Sequence, residues 1–131
     1  MKVTKYRICL FSKNPDKLAL FYTEVLGFNQ VVKVDREDDY GYGIEAVKGY
    51  KLWIAKHSKV NGVNSNPFQI IISFYVDNIN DYFSVLNLHP EIKIIENPTE
   101  TCMNIKGEER VVGSFLDPDG NCVQLIQLMN I

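Results

Sequence analysis

The feature that most constrains this chain is an internal repeat. A strand, a capped helix and three more strands are expected between residues 5 and 56, and the same order is expected again between residues 68 and 128. In the first copy "KYRICLFS" (5–12) is β-rich, with Ile8 and Leu10 on one face. Asn14 then suits an N-cap and Pro15 the first helical position. Leu18, Phe21, Tyr22 and Val25 fall at helical spacing and Gly27 ends the run, which predicts a helix over 15–26. "NQVVKVDRE" (29–37), "YGYGIEAVK" (40–48) and "GYKLWIAK" (49–56) read as strands, the last two joined by a tight Lys48–Gly49 turn. "HSKVNGVNSNP" (57–67) is polar and rich in Asn, Ser and Gly, as a linker is. The second copy runs through "FQIIISFYV" (68–76), a helix over 77–87, and strands at 92–97, 110–116 and 121–128. Asn14 recurs as Asn78, Leu18 as Tyr82 and Tyr22 as Leu86 at one constant spacing. Gly49 and Trp53 recur as Gly120 and Gln124 at a wider one, so the second copy carries a longer loop near "PTETCMNIKGEER". The whole reads as one α+β domain over 1–131: a module at about 1–57, a linker at about 58–67 and a module at about 68–131.

Composition narrows the function classes. At 131 residues and 46% hydrophobic the chain can bury a core. A net charge of −2 without a basic block gives no footprint for nucleic acid. The longest apolar run, "FQIIISFYV", is far short of the roughly 20 residues a membrane span needs. No signal-like apolar segment opens the chain, and Cys9, Cys102 and Cys122 form neither a disulfide framework nor a CxxC pair. A cytoplasmic protein with reduced cysteines is expected.

Two stretches then carry a resemblance. "NPDKLALFYTEVLGF" resembles the first-helix signature of the vicinal oxygen chelate superfamily, which groups glyoxalase I, extradiol dioxygenases and bleomycin resistance proteins. "GSFLDPDGNCVQLIQ" is similar to its last hairpin. The resemblance implies two βαβββ modules whose sheets curl into a cup with helices outside, and a homodimer, often with modules exchanged between chains. It also implies that metal-binding members place ligands at the positions held here by Arg7, Trp53, Ile71 and Gln124. An Arg is a permanent cation, and Ile and Trp offer no usable lone pair. One neutral amide on Gln124 cannot hold a cation that wants several N or O ligands. The expected site is metal-free, with no cofactor and no catalytic residue assigned.

Strand alternation extends the face. If Val47 pairs with Tyr50, Ile44 lies opposite Trp53 and Tyr42 shares its side; if Pro118 pairs with Asn121, Phe115 lies opposite Gln124. Tyr75 shares a face with Ile71. The expected ligand-binding set is Arg7, Tyr42, Trp53, Ile71, Tyr75, Phe115 and Gln124: mostly aromatic, with two directed polar groups, as small-molecule sites are built. Arg7 has two readings, a clamp on a carboxylate or phosphate, or a side chain that pairs with a carboxylate of the chain such as Glu45 or reaches solvent. Trp53 reads as a stacking surface or as closed core, and Gln124 as a ligand contact or as a partner of backbone or water. The leading expectation is a homodimeric, bleomycin-resistance-like protein that sequesters a small organic or aromatic molecule. A glyoxalase-like lyase, isomerase or dioxygenase-related metalloenzyme, and a dimeric module without ligand, are the rivals.

Overall fold

The computed structural model describes residues 1–101 and 109–129. The chain divides into two compact units, Met1–Val63 and Asn64–Ile131. Each is an α+β module of one four-stranded mixed sheet and one helical segment. The first holds β1 (Ile8–Phe11), α1 (Pro15–Leu20), β2 (Asn29–Arg36), β3 (Asp39–Val47) and β4 (Tyr50–Ala55), with strand order β1-β4-β3-β2. The second holds β5 (Ile71–Tyr75), α2 (Ile79–Leu86), β6 (Ile94–Thr101), β7 (Arg110–Leu116) and β8 (Cys122–Leu128), in the order β5-β8-β7-β6. In both, the first strand runs parallel to the last and the remaining pairs are antiparallel. Cys102 lies outside the described residues.

The helix starts follow from their caps. Asn14 Oδ1 accepts from Lys17 N at 3.2 Å with Pro15 in the first turn, and Asn78 Oδ1 accepts from Asp81 N at 3.4 Å. The first helix departs from the sequence expectation after Leu20, where a π-helical turn covers Phe21–Val25 and Leu26 N donates to Phe21 O at 3.2 Å. The Thr23 hydroxyl takes the Ala19 carbonyl at 3.1 Å, a contact that competes with the helical ladder. The wider turn lets Phe21 and Tyr22 both stay buried. Gly27, at φ 73°, then stops the helix.

Helix α1 packs on β3 and β4, and α2 on β6, β7 and β8. Leu18, Ile44, Leu52 and Ile54 fill the first core; Ile79, Phe83, Leu86, Phe115 and Val123 fill the second. Each such side chain contributes roughly 1.5–3 kcal/mol by leaving water. Gln127 Oε1 accepts from Ile79 N at 2.9 Å and ties the start of α2 to β8.

Two hairpin registers differ from the sequence expectation by one residue, and each shift moves an aromatic ring to the other face. Val47 does pair with Tyr50, but a bulge between Glu45 and Val47 sets Ile44 opposite Leu52 and Gly43 opposite Trp53. Tyr42 and Ile44 therefore stand with Leu52 and Ile54 on the helix-covered face. Glu45 Oε2 accepts from Gly49 N at 2.8 Å beside this bulge. In the last hairpin the loop is wider than a Pro118–Asn121 pair would make it. Asp117 N donates to Asn121 O at 2.9 Å, Leu116 pairs with Cys122, Phe115 with Val123 and Ser114 with Gln124. Phe115 thus packs under α2, its ring 5.9 Å from that of Phe83. The cause is Asp117, whose Oδ1 accepts from the N–H groups of Asp119 (3.0 Å) and Asn121 (2.9 Å) while Oδ2 accepts from Asn121 Nδ2 (2.9 Å).

Candidate functional site

The parallel pairs set which side chains share the face away from the helices. In the first unit Cys9 pairs with Trp53, so Arg7, Cys9, Phe11 and Trp53 stand together, with side-chain-free Gly43 across from the indole. The Arg7 guanidinium carbon lies 5.1 Å from the Trp53 ring centre, within cation–π range. Trp53 is 9% exposed, so it is largely covered while Arg7 and Cys9 are exposed. The alternative partner of Arg7 is otherwise engaged, since Glu45 turns to cap the Gly49 N–H. A cavity of about 120 Å³ lies on this face, lined by Lys5, Tyr6, Arg7, Val32, Lys51 and Trp53 among others. Lys5 and Lys51 were missed by sequence reasoning; Lys51 sits two residues from Trp53 on β4, where alternation places it, whereas Lys5 precedes β1 and no strand period reaches it.

In the second unit Ser73 pairs with Gln124, and Ile71, Ser73, Tyr75 and Gln124 share one face. Ile71 and Tyr75 are exposed. Ser73 Oγ donates to Gln124 Oε1 at 2.8 Å. The lone polar side chain between Val123 and Leu125 is therefore held by a hydroxyl on the neighbouring strand. Cys122, on the same face, is buried, and burial raises its thiol above the ordinary range, as the nearby Asp117 also does. A thiol so held is a poor nucleophile.

Tyr42 takes part in a different constellation. Its hydroxyl and that of Tyr40 both donate to Asp16 Oδ1 on α1. These two bonds, Tyr40 first, hold the Asp16 carboxyl below its usual range, and the Asp16 carboxylate pushes the Tyr42 phenol well above its own. The cluster fastens the β2–β3 hairpin to the helix. A second, wider cavity of about 400 Å³ opens at the strand ends beside it, bordered by Lys13, Glu37, Asp38, Tyr40, Lys56 and His57. His57 packs against Phe11 with ring centres 4.9 Å apart, and its Nδ1 accepts from Lys59 N at 3.1 Å.

The sequence profile of the glyoxalase/bleomycin resistance protein/dioxygenase superfamily matches residues 6–125. The chain belongs to this superfamily. Solved structures of similar fold include a virulence protein from Salmonella typhimurium, with TM-score 0.71 and 22% identity, over 98% of this chain and 100% of that one. TnmS3, an antibiotic binding protein from a Streptomyces species, gives a TM-score of 0.73 at 16% identity over 98% of each chain. The genomically encoded fosfomycin resistance protein FosX from Listeria monocytogenes gives 0.67 at 14% identity, over 97% and 94%. Comparison with curated protein sequences finds no match. Among the described residues no helix is long and apolar enough to cross a membrane.

Superfamily membership raises the question of a metal. The residues at the four implied ligand positions do not fit one. Arg7 brings a fixed positive charge, Trp53 and Ile71 bring no donor, and the single amide oxygen of Gln124 accepts the Ser73 hydroxyl. Among the described residues no group of three or more His, Cys, Asp or Glu side chains could hold a metal ion.

Proposed function

We propose that this member of the superfamily is a metal-independent binding protein for a small organic or aromatic molecule, cytoplasmic and homodimeric. It presents one ligand-facing surface in each module. In the first, Arg7 and the edge of Trp53 supply a cation and an apolar plane. In the second, Ile71, Tyr75 and Gln124 supply apolar contact and one amide. Tyr42 and Phe115 are left out of this surface, because the two hairpin registers turn them under the helices. The observation that carries the reading is the donor set, in which one amide oxygen, already bonded to Ser73, stands where a metal would need several ligands. The antibiotic-binding role printed for TnmS3 is compatible with it.

The test is elemental analysis of tag-free protein incubated with Zn²⁺, Ni²⁺, Mn²⁺ or Fe²⁺ and desalted, followed by a thermal-shift screen of antibiotics and aromatic compounds in the presence of chelator. The expected result is metal well below one equivalent per chain and at least one ligand that raises Tm with chelator present. Stoichiometric metal that is lost in a Gln124→Ala variant would refute the reading and favour a metal-dependent lyase or dioxygenase.

A further inference from the structure

We infer that the Arg7–Trp53 pocket is an anion-recognising subsite that takes the carboxylate of an aromatic or conjugated acid. This inference rests on the binding function proposed above and names its ligand class. Three cations, Lys5, Arg7 and Lys51, line a cavity of about 120 Å³, and no carboxylate does. All three border the one cavity although the chain as a whole carries a net charge of −2. The nearest acid by strand register is Glu45, opposite Lys51; its carboxylate accepts from the N–H of Gly49 at the cavity's border and is not itself part of the lining. The ion pairs among the described residues, Arg36–Asp39 and His89–Glu91, involve none of the three cations. Like charges held together raise the local potential until an anion enters, so the pocket selects by sign.

Size and shape refine the class. Drug-sized sites occupy about 300–1,000 Å³, so this cavity accepts a head group and not a whole ligand. A guanidinium offers carboxylate a planar fork of N–H donors, and its contact with the Trp53 ring leaves donors at the fork's edge free for that purpose. Gly43, opposite Trp53, adds no side chain to the cavity wall; a Cβ there would press on Val32, another lining residue, at 3.1 Å. An uncharged isostere would leave the three cations uncompensated, and an ammonium would be repelled.

Trp53 is the only tryptophan in the sequence and borders the pocket, so its indole N–H is a single, unambiguous NMR reporter of binding there. The experiment titrates isotope-labelled protein with benzoate, benzamide and benzylammonium at matched ionic strength, following that resonance. Benzoate is expected to move it and to bind about tenfold more tightly than benzamide, the size of one charge-assisted hydrogen bond, with benzylammonium weaker still. Arg7→Met should abolish the preference, and Lys51→Gln should reduce it in part. Both positions border an open pocket, and a dispersed spectrum verifies that each variant is folded. Equal binding of benzoate and benzamide, a preference that survives Arg7→Met, or no movement of the indole resonance overturns the inference. If the chelator-treated screen nevertheless finds ligands, the binding function stands and only the anion class falls. If nothing binds in either experiment, both fall.

Discussion

Gly113→Ala tests the register on which the site assignment depends. A Cβ built on Gly113 lies 2.5 Å from Cζ and 2.7 Å from Cε2 of Phe83, where ordinary contacts begin at 3.4 Å. The ring would have to retreat by about 1 Å, yet Phe83 is 2% exposed and already packed against Phe115. Forcing such overpacking costs roughly 1–3 kcal/mol. Replacing a glycine stiffens the unfolded chain and offsets this by about 0.4–1 kcal/mol. The net expectation is a loss of about 1–2 kcal/mol, read as a lower urea midpoint by far-UV circular dichroism. Phe83→Leu removes the far ring atoms, so Gly113→Ala in that background should be neutral or slightly stabilising, with a coupling of about 1 kcal/mol or more between the two changes. The alternative register, with Phe115 opposite Gln124, would point a residue-113 side chain away from α2, since 113 and 115 share a face. A neutral Gly113→Ala, or strictly additive effects, would therefore refute the observed pairing and return Phe115 to the ligand-facing set.

Three further outcomes are expected. Asp16→Asn weakens both phenol bonds and should cost about 1 kcal/mol or less, because the carboxylate is exposed and solvent screens it. The folded-state pKa of Asp16 is depressed, so the advantage of wild type over Asp16→Asn should be full above the unfolded value of about 4 and shrink as pH falls through the folded one; pH-dependent urea midpoints check this, and a gap that widens as the pH is lowered from neutrality would contradict it. Asp117→Ala leaves the N–H groups of Asp119 and Asn121 without their acceptor at a buried site and should cost about 2 kcal/mol or more by the same assay. Gly49→Ala places a Cβ at φ 90° with nothing nearby to clash, so its cost should come from backbone conformation alone, about 1–2 kcal/mol in thermal unfolding.

The element order and both helix starts were legible because local chemistry decides them. Asn14 and Asn78 cap, Pro15 fixes a first turn, and Gly27 and Gly49 supply positive φ where the chain must stop or turn. What was not legible turned on single residues. Nothing in "YGYGIEAVKGYKLW" announces that Ala46 is the extra residue of a bulge, because a bulge is settled by pairing across strands and not by composition. "DPDGN" does announce a turn, but whether the strands rejoin at Pro118 or Asp117 depends on where one aspartate finds its donors. The π-helical turn after Leu20 is hidden for the same reason, since Phe21, Tyr22 and Val25 also suit an α-helix.

These differences explain why alternation gives the observed face for some of the chosen residues and not for others. Cys9 and Trp53, and likewise Ile71, Ser73 and Gln124, lie on the parallel pairs β1–β4 and β5–β8, and Arg7 directly precedes β1. Within one uninterrupted strand the two-residue period cannot slip, so residues chosen two apart on the same strand stay on one face. Tyr42 and Phe115 were reached by counting across a hairpin, and each count crossed a point where one residue is gained. Their burial against helices is thus the consequence of the same parity that leaves Arg7 and Gln124 on the opposite side. The face away from the helices is accordingly poorer in aromatic rings than alternation across the hairpins implies, and Lys5 and Lys51 add positive charge to the cavity that Arg7 and Trp53 border.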